Sequence, residues 1–152
     1  MLKVNRKVEY GLVALKHMLG KPKGELTSVR EICDHFGTPF DPVAHVMRIL
    51  NSAGLVKSEQ GARGGYRLQD HILDVTFGDF IEIIEGHALA FTDCLRVGDC
   101  RCTLMDRCNI VSPMHQLHDR LRVFLRSITL NELLVAGTLP LPASVHADRP
   151  TA

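Results

Sequence analysis

Val4, Val8, Leu12, Leu15 and Leu19 recur at spacings of three and four residues, the period of one helical face, and predict a first helix from about Asn5 to Leu19. Gly20-Lys21-Pro22-Lys23-Gly24 ends it, since neither glycine nor proline favours continuation. Ser28-Val29-Arg30-Glu31 reads as a capping box, with the serine oxygen taking a free backbone N–H and the glutamate reaching back to the cap residue. It opens a short helix through Phe36. After the tight break Gly37-Thr38-Pro39, Asp41 is expected to cap a third helix with Pro42 in its first turn, and Val43, Val46, Met47 and Leu50 form its apolar stripe.

Asn51-Ser52-Ala53-Gly54 closes that helix. The segments Leu55-Val56-Lys57-Ser58-Glu59 and Gly65-Tyr66-Arg67-Leu68 then flank the glycine-rich tip Gln60-Gly61-Ala62-Arg63-Gly64, the pattern of a β-hairpin. Thr76 and Asp79 cap a helix from Phe77 to Glu85 that presents Phe77, Phe80, Ile81 and Ile84 to one side. An irregular, cysteine-bearing stretch follows. Ser112-Pro113 starts a longer helix on which Met114, Leu117, Leu121, Phe124, Leu125 and Ile128 make an apolar seam on an otherwise charged cylinder, a seam that requires a partner. Thr129-Leu130-Asn131-Glu132 is a further capping box. Beyond Gly137 periodicity is lost, and residues 136–152 are expected to form a disordered tail.

Two short helices joined by a tight turn and followed by a hairpin with an arginine at its tip define a winged helix-turn-helix. The expected fold is mainly α with a small β-hairpin wing: residues 1–72 form the winged unit, and residues 73–135 carry the cysteine loop and a long C-terminal dimerisation helix. In such a fold the third helix enters the DNA major groove, and its candidate reading residues are Asp41, Ala44, His45 and Arg48. Arg48 can meet a guanine or a phosphate and His45 a purine; equally, both can be solvated side chains. At the wing, Gly61, Gly64 and Gly65 permit close backbone approach, and Arg63 offers a cation suited to the narrow minor groove.

Composition sharpens this division. The 152 residues, 45% hydrophobic, suffice for one well-buried domain and an appendage. The net charge of +1 conceals an asymmetry: residues 1–67 hold eleven Lys and Arg against six Asp and Glu, and residues 68–152 hold seven against eleven. A polyanion is therefore expected to meet the first half. No run approaches the roughly 18 apolar residues of a membrane span, so the expected location is cytoplasmic. No nucleophile-base pair, phosphate loop or paired carboxylate site is recognisable, which argues against an enzyme.

Four of the five cysteines, Cys94, Cys100, Cys102 and Cys108, fall within fifteen residues, whereas Cys33 lies in a helical pattern as a core thiol. Clustered cysteines without a secretion signal bind metal or do redox chemistry more often than they form disulfides. Soft thiolates suit iron. Zinc is the alternative, but zinc sites usually pair cysteines two to four residues apart, and the spacings here are five, one and five intervening residues.

Glu9-Tyr10-Gly11-Leu12, Asn51-Ser52-Ala53-Gly54-Leu55-Val56-Lys57-Ser58, Gly61-Ala62-Arg63-Gly64-Gly65-Tyr66-Arg67-Leu68 and Ile84-Glu85-Gly86, followed by the cysteines, resemble the family containing IscR, NsrR and RirA from about Leu2 to Leu134. The resemblance implies a homodimeric winged-helix regulator, commonly a repressor, whose affinity for a double-stranded DNA operator answers to an iron-sulfur cluster, [2Fe-2S] or [4Fe-4S]. It also implies three cysteine ligands. Cys94, Cys102 and Cys108 give the interval before the last cysteine common to the relatives, while Cys94, Cys100 and Cys108 give the first interval of IscR and NsrR; the former set is preferred, with Cys100 as alternate. Where IscR-like proteins place a histidine ligand this chain has Val111, which cannot ligate. NsrR-like relatives use an acidic residue of the partner's first helix, and Glu9 stands at that place, with His115 and His118 as further possibilities. A second departure is Gln60, where IscR-like members carry an arginine before the first wing glycine.

Overall fold

The computed structural model describes residues 4–61, 64–90, 102–104, 107–137 and 139. Helix α1 (Arg6–Leu19) begins where Asn5, in extended conformation, accepts a hydrogen bond from the Lys7 amide and so satisfies one of the orphan donors of the first turn. Helix α2 (Val29–Phe36) begins at Ser28, whose hydroxyl accepts from the Glu31 amide at 3.1 Å. The second half of the expected capping box is absent: the Glu31 carboxylate turns instead to His17 of α1 at 2.9 Å and to Lys21. Tertiary partners, the Lys21 ammonium among them, outcompete the local backbone donor.

Helix α3 (Phe40–Ser52) starts one residue before Asp41, which therefore sits inside the first turn and does not cap it; the N-cap is Pro39, without a side-chain hydrogen bond. Proline's fixed φ, here −69°, supplies the extended cap conformation, and Pro42 is tolerated because its missing N–H falls among the first-turn donors that have no intrahelical acceptor. All four residues of the expected stripe, Val43, Val46, Met47 and Leu50, are buried. Strands β1 (Val56–Glu59) and β2 (Gly65–Leu68) pair antiparallel, Val56 opposite Leu68 and Glu59 opposite Gly65. Thr27 adds a bridge to Tyr66, fastening the hairpin to the segment before α2.

A 3-10 turn over Asp70–Asp74 leads to α4 (Phe77–Glu85), capped by Thr76, whose hydroxyl accepts from the Asp79 amide. Phe80 is fully buried and contributes about 1.5–3 kcal/mol by leaving water. Its ring presses on α1 at Gly11, where a Cβ would lie 2.8 Å from ring carbon Cζ, so any side chain there would force the helices apart.

Helix α5 spans Val111–Arg126. The chain then returns to the first core: the Phe77 amide donates to the Ile128 carbonyl at 2.7 Å and the Leu130 amide to the Val75 carbonyl at 2.8 Å. Ile128, expected on the α5 seam, is thus buried beyond the helix end, and Leu130 and Leu134 join Val8, Leu15, Ile32, Leu50 and Phe80 in one core cluster. The Thr129 box forms in both directions, its amide donating to Glu132 and its hydroxyl accepting from the Glu132 amide, and opens a π-type turn over Glu132–Ala136. Cys33 is a buried thiol, as expected. Of the expected tail, all but 136, 137 and 139 lie outside the described residues.

Candidate nucleic-acid interface and cysteine segment

Burial of one face of α3 fixes what its other face offers. With Val43, Val46, Met47 and Leu50 inward, Asp41, His45 and Arg48 are exposed and Ala44 is half-buried. Among the described residues none of Asp41, His45 and Arg48 forms a side-chain hydrogen bond or ion pair with another group, so their polar atoms are free for a ligand. His45, Arg48 and Ser52 also line an open cleft with Glu82, Ile83 and Gly86, the end of α4. The polar face of α3 therefore runs up to the point from which the chain leaves toward the cysteines.

At the wing, the tip is closed by a hydrogen bond from the Gly64 amide to the Gly61 carbonyl at 2.9 Å, and Gly61 has φ 134°. A Cβ on Gly64 would lie 2.7 Å from the Glu59 carbonyl oxygen, so only glycine allows the strand to turn back this tightly. Arg67 is held across the hairpin by Glu59 at 3.1 Å. Arg63, the expected minor-groove cation, lies outside the described residues.

Cys102 and Cys108 are half-buried free thiols, and Cys108 stands three residues before α5. Cys94 and Cys100 lie outside the described residues, and among the described ones no group of three or more His, Cys, Asp and Glu could hold a metal ion. Donor chemistry is nevertheless suited to iron at the two thiols described. Glu9 is half-exposed on the first turns of α1, and among the described residues its carboxylate pairs with Arg6 of the same turn at 3.1 Å. Such a surface pair is worth less than about 1 kcal/mol and leaves the carboxylate available to a stronger partner. The same end of α1 is tied to the end of α4, Asn5 Nδ2 donating to Glu85 Oε2 at 3.1 Å. His115 is exposed and His118 buried.

Two exposed aromatic residues flank the turn between α2 and α3. Phe36 closes α2 and Phe40 opens α3, and both are substantially exposed. Placing the cap at Asp41 assigns Phe40 to the turn; a hydrophobic residue directly after Pro39, at the position where a proline cap puts the first helical residue, is the signal that identifies it.

The chain matches the family model Rrf2, described as iron-dependent transcriptional regulator, over residues 4–136. Solved structures share its fold. CymR (YrzC), the global cysteine regulator of B. subtilis, is 26% identical with a TM-score of 0.64, the match covering 91% of this chain and 100% of that one. IscR of T. potens is 26% identical with a TM-score of 0.61, covering 95% and 96%. The oxidised form of Staphylococcus aureus CymR, 21% identical, superimposes with a TM-score of 0.63 over 92% of this chain and 100% of that one. Winged helix-turn-helix, hairpin and cysteine segment thus occur in the context of known DNA-binding regulators, and the chain belongs to the Rrf2 family of transcriptional regulators.

Proposed function

We propose that this Rrf2 regulator is a cytoplasmic homodimeric repressor whose operator affinity is set by an iron-sulfur cluster held by Cys94, Cys102 and Cys108, with Cys100 as alternate. The observation that carries this reading is the four-cysteine segment in a chain matching a family described as iron-dependent. Residues 1–72 are the DNA-binding unit and residues 73–135 the cluster and dimerisation unit. Asp41, Ala44, His45 and Arg48 meet the major groove, and Arg63 with the Gly64 backbone approaches the minor groove.

Once bound, the cluster supplies a centre that reacts with nitric oxide, responds to iron supply or changes redox state. Three thiolates anchor it. Glu9 of the partner subunit completes the ligand set; its weak pairing with Arg6 supports this role, because little is lost when the carboxylate changes partner. A ligand crossing the dimer ties α1 to the cysteine segment of the other protomer. The Asn5 to Glu85 hydrogen bond, and the cleft shared by α3 and the end of α4, continue that linkage to the reading helix. Through this linkage, release of Glu9 from a group held by the partner's cysteines would alter the spacing of the two reading helices, which decides whether both fit the groove.

A second reading, a zinc- or thiol-based regulator in which Cys100 and Cys102 are chemically active, draws on the closeness of these two thiols, with one residue between them in the chain. Anaerobic purification with iron and sulfide analysis separates the two: a cluster protein is brown and a zinc or thiol protein colourless. Cys94→Ala, Cys102→Ala and Cys108→Ala are each expected to lose the visible absorbance, Cys100→Ala to keep it, and Glu9→Ala to keep iron with an altered spectrum. Retention in Cys102→Ala with loss in Cys100→Ala reverses the ligand choice. DNA binding with and without the cluster completes the test.

A further inference from the structure

We propose that Phe40 and Ala44, at the leading end of α3, read the 5-methyl groups of thymine in the operator. This rests on α3 being the DNA-reading helix. Phe40 is 50% exposed and belongs neither to the core cluster nor to the half-buried hydrophobics packed against it. Phe36, 43% exposed, differs: its ring packs edge-on against His35 at 4.5 Å and His17 at 5.6 Å. Phe40 has no such ring partner among the described residues.

Helical geometry gives Phe40 its context. Residues four apart form a ridge, so Phe40, Ala44 and Arg48 follow one another along α3, apolar at the leading end and cationic further on. Ser52 continues the ridge, and Asp41 and His45 lie beside it as polar neighbours. An isolated exposed phenylalanine is common, but this one is the first residue of the helix whose N-terminal end meets base edges in a winged helix. In the major groove the apolar feature of the base edges is the thymine methyl, and Phe and Ala are among the side chains that contact it. Ala44 adds a methyl and no bulk, so the helix can approach closely enough for the ring to reach. The neighbouring Asp41 repels phosphate, which directs the leading turn toward bases, where a carboxylate can accept from the cytosine amino group.

The test removes the methyl from the DNA and the ring from the protein. Full-length protein purified anaerobically, both as isolated and after iron chelation, selects duplexes from a random-sequence pool, and each thymine of the selected site is replaced in turn by deoxyuridine. That change deletes the 5-methyl and keeps every hydrogen-bonding group. At one or two positions per half-site the parent is expected to lose about fourfold in affinity for each methyl, the worth of one buried methyl group. Phe40→Ala is expected to bind thymine and uracil duplexes equally at the position it reads, Phe40→Leu to retain part of the difference, and Phe36→Ala to retain all of it. An undiminished uracil penalty in Phe40→Ala, loss of that penalty in Phe36→Ala, or no thymine whose methyl matters in the parent overturns the assignment. Failure of both forms to select any duplex overturns instead the reading of α3 on which it rests.

Discussion

Helices α3 and α5 have similar apolar periodicity and opposite fates. On α3 the four stripe residues are all buried within the protomer. On α5 Met114 and Leu121 are half-buried and Leu117 and Phe124 exposed, and the one buried residue of the helix is His118. Only the end of the seam turns inward, Leu125 packing against the core and Ile128 entering it beyond the helix. Periodicity thus reports a face that must be covered. Whether this chain or another covers it depends on what the topology brings alongside, and among the described residues the element against which α5 chiefly packs is α4.

The largest expected effect tests what covers that seam. If a second α5 does, Leu121→Asp introduces two carboxylates, one from each protomer, into an apolar contact, at a cost on the order of several kcal/mol per ion. Sedimentation is expected to show a monomer under conditions where the parent is a dimer, with helical circular dichroism retained because the residue is not part of the protomer's core. An intact dimer would assign the seam some other cover.

A smaller effect sharpens the contrast within one chain. Leu50 is fully buried, and Leu50→Ala is expected to lower unfolding stability by about 2–5 kcal/mol through lost transfer energy and the cavity left behind. Leu117, 47% exposed, is expected to cost less than about 1 kcal/mol when replaced by Ala. Urea denaturation in the Leu121→Asp background makes the comparison fair, since it excludes any contribution from dimer contacts. Equal losses would mean that the seam is covered within the protomer.

The same contrast explains what was legible in the sequence. The caps at Ser28, Thr76 and Thr129, the α3 stripe and the two strands of the hairpin follow from interactions between residues close in the chain, and all were readable. The start of α3 was missed because an aspartate and a proline cap compete for one helix end, and the proline's fixed φ prevailed. Ile128 was misplaced because its periodicity continues past the end of α5, while its carbonyl is recruited by Phe77, fifty-one residues earlier. In the candidate site, the exposed residues of α3 were legible by subtraction from its stripe. The aromatic Phe40 was not, since exposure at a helix end depends on where the helix begins. The destination of Glu31 was also hidden, because His17 and Lys21 become its neighbours only when the end of α1 and the turn after it meet α2.

That last network supplies the smallest effect, and it tests whether the first half is held by specific charge as well as by packing. Partial burial raises the Glu31 pKa, but hydrogen bonds and charge from Lys21 and His17 together outweigh it and hold the carboxyl below its ordinary 4.5. On Lys21 burial acts downward, and the bonds and charges of Glu31 and Glu25 more than reverse it, leaving the ammonium above its ordinary 10.5. The signs agree: a carboxylate lowered in the folded state stabilises above its unfolded pKa and stops doing so as pH falls through its folded one, and a raised lysine loses its contribution only as pH rises through its folded value. The link is therefore fully present between these limits. Because the Glu31 side chain is 38% exposed, solvent screening reduces its worth, and Glu31→Gln is expected to cost less than about 1 kcal/mol near pH 7. The difference from the parent is expected to hold from about pH 7 down to the ordinary 4.5, to shrink as the pH falls below that value, and to shrink at about pH 7 in about 0.5 M salt. A loss that is constant across both series would mean that Glu31 acts through its shape and hydrogen bonds, and that packing alone joins α1 to α2.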